Sequence, residues 1–239
     1  MDKSEGSNRN GLSSPSQDGV DPELVDSIRE RMGHLREKID SLSAPGKVKI
    51  VSVTKGFPVG VTRAAYFAGV RDIGENYVQE LVDKYRLSSD LPGLIRHFIG
   101  HIQSNKLRTI AEVSDVVETI SRPSELERLN RLAFRGSVLI QVKFDSDPAR
   151  SGVASDKVLE LVELGRTLQL NIQGLMTIAP IVDPKGRGEV FRLLRVLCDD
   201  LDLPECSMGM SDDFEIAVAE GATMVRLGSA IFGQRLTKN

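Results

Sequence analysis

The feature that most constrains the fold is a regular alternation of short apolar runs and amphipathic stretches from about residue 48 onward. Eight runs have strand character, at 49–54, 71–75, 96–100, 116–120, 137–143, 172–178, 205–209 and 223–228. Helical patterns lie between them, near 60–68, 77–86, 104–111, 123–133, 155–168, 187–201 and 211–219. Such alternation predicts a parallel sheet with crossover helices, and eight strands are the number that closes a (β/α)8 barrel.

A doubly wound open sheet is the alternative arrangement, and the turn after the first strand argues against it. The glycine-rich fingerprint expected there is missing, since Thr54-Lys55-Gly56-Phe57-Pro58 holds a single glycine. We therefore predict an α/β fold with a single TIM-type (β/α)8 barrel at 48–235. Asp21-Pro22 is a helix-start signal, so an additional N-terminal helix is expected at 21–42, within one domain spanning 21–239.

Composition excludes several classes of function. The 239 residues carry a net charge of −3, which gives no electrostatic footprint for nucleic acid. No apolar run approaches the roughly 18 residues that cross a bilayer. Residues 1–20 are rich in Ser, Asn, Gly and Asp and lack the apolar core of a secretory signal, so they are predicted to form a disordered tail. We expect a cytoplasmic protein with neither nucleic acid nor membrane as partner.

The cysteines and histidines indicate no metal site. Cys198 and Cys206 are the only two cysteines and form no CxxC pair, so neither a disulfide framework nor a zinc site is predicted. Both are expected to be buried small apolar groups. His97 and His101 span a strand–loop junction rather than one helical face, and no HExxH glutamate accompanies them.

Lys55 is the first candidate functional residue, because ligands of these barrels bind at the C-terminal ends of the strands. It ends the first strand run, and a Gly-Phe-Pro turn follows at once. A fixed stem with a reachable tip suits an amine that forms a Schiff base with an aldehyde. The alternative is an ordinary solvated lysine at the end of an edge strand.

The loops after the seventh and eighth strands resemble a cradle for an anion, which such barrels often hold at this position. Ser211 is placed to cap a helix whose N–H groups lie behind it. Gly228 lets the backbone approach an anion closely, and Ser229 adds a hydroxyl near another short helical start. The alternative is that Ser211 only caps a helix and Gly228 only turns the chain.

Arg226 is predicted to point toward the mouth of the barrel, because the flanking Val225 and Leu227 would face the surrounding helices. A buried arginine needs an acceptor, which Glu75 or a ring nitrogen of a ligand would supply. An amine, an inward arginine and an anion cradle together fit pyridoxal 5′-phosphate (PLP), which has an aldehyde, a pyridine nitrogen and a phosphate.

Six segments carry a resemblance to a known family, in the order in which that family has them. They are Val53–Lys55, Ile73–Glu80, His97–Lys106, Gly174–Ile178, Met208–Glu215 and Met224–Gly233. On these motifs the chain resembles the pyridoxal phosphate homeostasis proteins, from about residue 48 to 235.

The resemblance implies a barrel similar to the N-terminal domain of alanine racemase, with PLP carried on Lys55 as an internal aldimine. It also implies phosphate contacts from Ser211, Gly228 and Ser229, a contact of Arg226 with the pyridine nitrogen, and a pocket lined by Asn76 and Met210. Three places depart from the family pattern, one of them Arg96, which stands where an aromatic residue often precedes His-Phe-Ile-Gly. Gly56 stands where many members have a polar residue, and Arg150 stands where a lysine is common.

The predicted function is to bind, buffer or deliver PLP within the cell, without enzymatic turnover and with no catalytic residue. A guanidinium stays protonated, so Arg226 disfavours a protonated pyridine nitrogen and leaves the ring a weaker electron sink. Racemases also need an acid–base pair, which in alanine racemase includes a tyrosine from a second domain. No such second domain is expected after Asn239. PLP-dependent apo-enzymes are the expected recipients, and a monomer is the default.

Two alternatives remain open from the sequence. The first is a small PLP-dependent amino-acid racemase. The second is a phosphate-metabolite barrel in which Lys55 acts only through its charge.

Overall fold

The computed structural model describes residues 20–145, 147, 150–180 and 183–234. Its strands are β1 (Lys49–Val53), β2 (Asp72–Glu75), β3 (Ile95–Phe98), β4 (Val116–Ile120), β5 (Ser137–Lys143), β6 (Val153–Ala154), β7 (Asn171–Met176), β8 (Glu205–Ser207) and β9 (Met224–Leu227). Its α-helices are α1 (Pro22–Leu42), α2 (Val59–Phe67), α3 (Val78–Leu87), α4 (Leu107–Val113), α5 (Pro123–Arg131), α6 (Val158–Thr167), α7 (Pro184–Asp200), α8 (Phe214–Ala219) and α9 (Ser229–Phe232). Short 3-10 turns at Ser104–Lys106 and Ser155–Lys157 precede α4 and α6.

Eight of these strands form a closed parallel barrel, in the order β1-β2-β3-β4-β5-β7-β8-β9. The last strand pairs back onto the first, with Val51 opposite Arg226. The short β6 pairs with β5 alone, in parallel, and was not predicted. Each of the eight predicted strand runs contains or overlaps one barrel strand. The predicted (β/α)8 barrel is confirmed.

Helix α1 packs beside the barrel helices as an addition to the (β/α)8 pattern. The Asp21 side chain caps it by accepting from the Glu23 N–H at 3.0 Å, and Pro22 occupies the first turn. Ile28 and Ile39 are its buried residues, and it contacts α2, α8 and α9. The additional N-terminal helix is therefore present. The predicted tail at 1–20 lies, except for Val20, outside the described residues, as do the predicted barrel end at 235 and all later positions.

The barrel separates an apolar outer layer from a partly polar interior. Val225 and Leu227 belong to the outer layer, which packs against the helices. Arg226, between them, lies inside, because successive side chains of a strand point to opposite faces. The predicted orientation of Arg226 is confirmed. This parity brings polar groups of β9 and its neighbours into the barrel.

Cys198 and Cys206 are both fully buried thiols, as predicted. Over the part of the chain that the structure describes, no three His, Cys, Asp or Glu side chains are grouped so as to hold a metal ion. Over the same residues, no helix is both long and apolar enough to cross a membrane.

Candidate functional site

One cavity of about 490 Å³ opens at the C-terminal ends of the barrel strands. All seven residues singled out from the sequence line it: Lys55, Asn76, Met210, Ser211, Arg226, Gly228 and Ser229. Apolar side chains complete part of the wall, among them Val53, Phe57, Ile99 and Ile178. Side chains from both ends of the chain thus converge on one space.

Lys55 is half-buried and begins the loop that follows β1. The preceding residue is fixed to the sheet, since the Thr54 N–H donates to the Gly74 carbonyl at 3.1 Å. Gly56 has a φ of +75°, a conformation that favours glycine, and its N–H donates to Glu80 Oε2 at 2.7 Å. The departure at Gly56 therefore has a local cause, which is the turn that directs the chain away from the lysine.

A buried ion pair supports the backbone just before Lys55, and sequence reasoning missed it. Lys84 Nζ donates to the Thr54 carbonyl at 2.6 Å and to Glu75 Oε1 at 2.5 Å. The Thr54 hydroxyl also donates to Glu75. Burial raises the pKa of Glu75 by more than the charge of Lys84 lowers it. Glu75 forms its ion pair with Lys84, so the suggestion that Glu75 is the acceptor for Arg226 is wrong.

The acceptors of Arg226 are found on two neighbouring strands. Its guanidinium donates to Ser207 Oγ and to the Thr177 carbonyl, both at 2.7 Å. Burial lowers the pKa of Arg226, although the carboxylates of Glu118 and Asp213 partly offset this. A guanidinium nevertheless remains charged near neutral pH. The two bonds use two of its five N–H groups, which leaves donors for a ligand in the cavity that it lines.

The loop after β8 is a tight turn rather than a simple helix cap. Gly209 has a φ of +89°, and the Met210 N–H donates to Asp213 Oδ1 at 2.6 Å. This turn delays the start of α8 to Phe214 and makes Asp213 its N-cap. The prediction that Ser211 caps the helix is therefore wrong. Ser211 Oγ instead accepts from the Ala230 N–H at 3.3 Å, which joins the loops after β8 and β9.

Gly228 and Ser229 begin the short helix α9, as the sequence predicted. Gly228 is the N-cap and Ser229 the first helical residue. The N–H groups of Ile231 and Phe232 donate to the Gly228 carbonyl, whereas that of Ser229, at the start of the helix, has no acceptor within the helix. A Cβ at Gly228 would lie 3.2 Å from the Val53 carbonyl oxygen, which is tighter than usual contacts. The glycine therefore lets α9 begin directly against β1, beside the loop that carries Lys55.

Asn76 lines the cavity and carries a buried polar atom without a partner in the described part of the chain. Its Oδ1 is buried and has no hydrogen-bond partner among the described residues. Its backbone passes close to Gly100, where a Cβ would lie only 1.8 Å from the Asn76 carbonyl oxygen. Buried polar atoms are nearly always paired, so an unpaired one at a cavity wall fits a site built for a polar ligand.

His97 is buried inside the barrel between two carboxylates. Its Nδ1 is 2.7 Å from Glu118 Oε1, and its Nε2 is 3.1 Å from Asp72 Oδ1. Burial opposes the charged imidazolium, but the hydrogen bonds and charges of Asp72 and Glu118 prevail and raise the pKa of His97 to about 9. The same contacts lower the pKa of Glu118 against its burial. His97 is therefore an imidazolium at neutral pH.

Stability is expected to fall as pH rises from about 6.5 to about 9. The folded protein holds the His97 proton more tightly than the unfolded chain, in which a histidine titrates near 6.5. The stabilisation is therefore complete below pH 6.5 and lost above the folded pKa. It amounts to about 3 kcal/mol, since each pKa unit is worth about 1.4 kcal/mol. Urea unfolding at several pH values measures it.

The matched control is His97→Asn, which keeps a donor toward Glu118 but does not titrate. We expect this variant to lose the pH-dependent part of the free energy of unfolding over the same interval. Equal slopes for the two proteins would show that other groups, and not His97, are responsible.

Comparison with known proteins identifies the family to which this barrel and its cavity belong. Residues 25–236 match the family model described as "Alanine racemase, N-terminal domain". The chain is 38% identical to the pyridoxal phosphate homeostasis protein of Pseudomonas aeruginosa, in an alignment that covers 89% of this chain and 96% of that protein. The chain belongs to the pyridoxal phosphate homeostasis family.

Solved structures agree with this family. PipY of Synechococcus elongatus, solved with PLP bound, is 37% identical, with a TM-score of 0.78 over 86% of this chain and the whole of PipY. Alanine racemase of Corynebacterium glutamicum is 18% identical, with a TM-score of 0.68 over 90% of this chain and 63% of the racemase. The second likeness concerns the fold alone. The homeostasis family thus shares a barrel with a family of enzymes, while its own curated members are named for homeostasis.

Proposed function

We propose that this homeostasis-family protein binds PLP as an internal aldimine on Lys55, and that it buffers the cofactor or delivers it to apo-enzymes. The observation that carries the proposal is the convergence of Lys55, Arg226 and the Ser211 and Ser229 loops on one cavity of about 490 Å³. The donor set fits PLP group by group. The PLP-bound structure of PipY adds independent support.

Each part of the site has a role in the proposal. The Lys55 amine adds to the aldehyde of PLP with loss of water. An N–H of Arg226 donates to the pyridine nitrogen. The phosphate is held by backbone N–H groups at Gly228 and Ser229 and by the hydroxyls of Ser211 and Ser229. Asn76 and Met210 line the pocket, with the unpaired Asn76 Oδ1 free to accept from a polar group of the ligand.

Two observations favour holding the cofactor over turnover. The first is Arg226, since a charged donor at the pyridine nitrogen keeps that nitrogen unprotonated and weakens the ring as an electron sink. Racemases can work with that arrangement, so this observation disfavours other PLP chemistry, and racemisation depends on an acid–base pair. The second is the placement of the tyrosines: none is among the described residues that line the cavity. Tyr66 bonds the Pro92 carbonyl, Tyr85 lies against Arg96, and Tyr77 is 60% exposed.

Borohydride reduction tests the proposed attachment. Purified protein is incubated with PLP, freed of excess cofactor, reduced, digested and mapped by peptide mass analysis. Reduction fixes an imine as a stable secondary amine, so we expect one pyridoxyl-modified peptide, and we expect it to contain Lys55. An adduct confined to another lysine, or no adduct at all, would refute the assignment.

A racemase is the second candidate, because the barrel is shared with alanine racemase. It is separated from a carrier by incubating the PLP-loaded protein with L-amino acids in D2O. A carrier exchanges the α-proton no faster than free PLP does. Exchange at ordinary enzymatic rates, about 1–10³ per second, would favour the enzyme.

The location, oligomeric state, domain bounds and recipients of the protein are also proposed. We infer a cytoplasmic monomer with one domain at 21–239, preceded by a tail at 1–20, whose recipients are PLP-dependent apo-enzymes. Arg150, where a lysine is common in the family, bonds Asp145 and the carbonyl of Ile178, and Ile178 lines the cavity. This contact places Arg150 beside a residue of the cavity wall.

A further inference from the structure

A continuous file of polar side chains crosses the interior of the barrel behind the cavity. It joins one residue from each of five strands: Arg226 of β9, Ser207 of β8, Glu118 of β4, His97 of β3 and Asp72 of β2. The successive contacts measure 2.7, 2.6, 2.7 and 3.1 Å. Of these five residues only Arg226 lines the cavity, so the other four can act on a ligand only through their neighbours.

The file is closed to water along most of its length. Ser207 and Glu118 are 0% exposed, His97 is 1% exposed and Arg226 is 4% exposed. Asp72 is the open end, with a side chain that is 21% exposed. Asp72 and His97 both line a second cavity of about 620 Å³, whose wall includes residues from the N-terminal ends of the strands, such as Lys49 and Ile95. The file therefore runs from one face of the barrel to the other.

The hydrogen bonds along the file have a single direction. Arg226 donates to Ser207 Oγ, and the Ser207 hydroxyl donates to Glu118 Oε2. The other oxygen of Glu118 accepts from His97 Nδ1. His97 can then donate from Nε2 to Asp72 only as an imidazolium, because a neutral ring carries one proton. Glu118 is an acceptor at both of its oxygens.

The charges alternate in sign and sum to zero. Arg226 is positive, Glu118 negative, His97 positive and Asp72 negative. An uncompensated guanidinium inside a protein is costly. Glu118, one hydroxyl away, is the carboxylate that compensates Arg226 within the file, and His97 in turn compensates Glu118. Residues that do not touch the cavity thus contribute to the charge behind Arg226, together with the carboxylate of Asp213 outside the file.

We propose that Glu118 and His97 are positioning residues for the cofactor: through Ser207 they hold the Arg226 guanidinium and fix the net charge behind it, and so set how fast PLP is released. The inference rests on the proposed function, since it requires PLP at Lys55. Glu118 and His97 are expected to act in opposite directions. PLP is anionic at its phosphate and phenolate, so a more positive file retains it and a more negative file releases it.

Release is measured with PLP-loaded protein diluted into an aldehyde trap, at two trap concentrations to show that the trap does not set the rate. Glu118→Gln removes a negative charge and keeps the shape of the side chain. We expect about tenfold slower release, because a unit charge roughly 10 Å away at an effective dielectric constant of about 20 changes an equilibrium by about that factor. If His97 loses its proton in this variant, the direction holds, since Glu118 is the nearer of the two to Arg226.

His97→Asn removes a positive charge and is expected to speed release several-fold. Adding Asp72→Asn restores the net charge of zero, and we expect release in the double variant to return toward the wild-type rate. Damage to the fold would make the double variant worse rather than better. This pair decides the inference even if Glu118→Gln proves insoluble. Glu118→Asp keeps the charge but shortens the side chain that reaches Ser207, so we expect its release rate to lie closer to wild type than that of Glu118→Gln.

The outcomes separate the two proposals. If wild-type protein takes up no PLP, the proposed function fails, and the inference fails with it. If wild-type protein binds PLP at Lys55 but Glu118→Gln and His97→Asn both release it faster, or both release it at the wild-type rate, only the inference is overturned. Slower release from Glu118→Gln, or recovery in the double variant, supports it.

Discussion

Lys55→Ala is expected to abolish completely the near-visible absorption that PLP gives when bound to this protein. The band requires conjugation of the pyridine ring with a lysine nitrogen, and Lys55 is the amine that lines the cavity. The fold is expected to survive, because Lys55 is half-buried in a loop and the adjacent Thr54 remains held by Gly74 and Lys84. Absorption spectra of PLP-treated, desalted protein measure the loss, and thermal melts check the fold.

The matched control is Lys143→Ala. Lys143 ends β5 at the same face of the barrel, where its Nζ donates to the Asp147 carbonyl at 3.2 Å. We expect this variant to keep the band in full, because Lys143 is not among the described residues of the cavity wall. A band that persists in Lys55→Ala, or disappears in Lys143→Ala, would place the cofactor elsewhere.

Lys84→Met is expected to destabilise the fold by about 3–5 kcal/mol, which is typical of breaking a buried ion pair by removing one partner. The Lys84 side chain is 5% exposed and that of Glu75 is fully buried, so the substitution leaves a carboxylate inside the protein without its cation. The Thr54 carbonyl also loses a donor beside Lys55. Urea unfolding gives the change in the free energy of unfolding.

Two further variants show whether the buried charge is the cause. Adding Glu75→Gln to Lys84→Met removes the stranded carboxylate, and we expect it to recover much of the lost stability. Lys157→Met breaks an exposed pair with Glu160, and little change is expected there because surface pairs contribute little. A Lys84→Met protein as stable as Lys157→Met would argue that water reaches Glu75.

The barrel could be predicted because its signal is repeated and local. Each strand is covered by the barrel interior on one face and by helices on the other, so it reads as a nearly continuous apolar run. The alternation of these runs with helical patterns then indicates the barrel. Where turns decide a boundary, the prediction was less accurate. The helical pattern at 211–219 begins only at Phe214, because Gly209 and Asp213 close a turn that the apolar pattern does not record.

The polar interior could not be predicted, because its contacts join residues that are far apart in the chain. Ser207 bonds Glu118 across 89 residues, and His97 bonds Glu118 across 21. From sequence alone, a glutamate or a lysine is expected at the surface. Lys84 carries a local signal that could have found it, since it lies three residues after Leu81 on the buried face of α3. The inward orientation of Arg226 could be predicted because its aliphatic neighbours, Val225 and Leu227, face the helices on the opposite side of the strand.

The pairing of β9 with β1 determines when, during synthesis of the chain, the binding site can form. Lys55 follows the first strand and Arg226 lies in the last, so the two become neighbours only when this seam closes, with Val51 opposite Arg226. A ribosome must therefore deliver nearly the whole barrel before a binding-competent pocket exists. A ligand that bridges the seam favours the closed form by mass action. Binding of the cofactor would then also stabilise the completed, closed barrel.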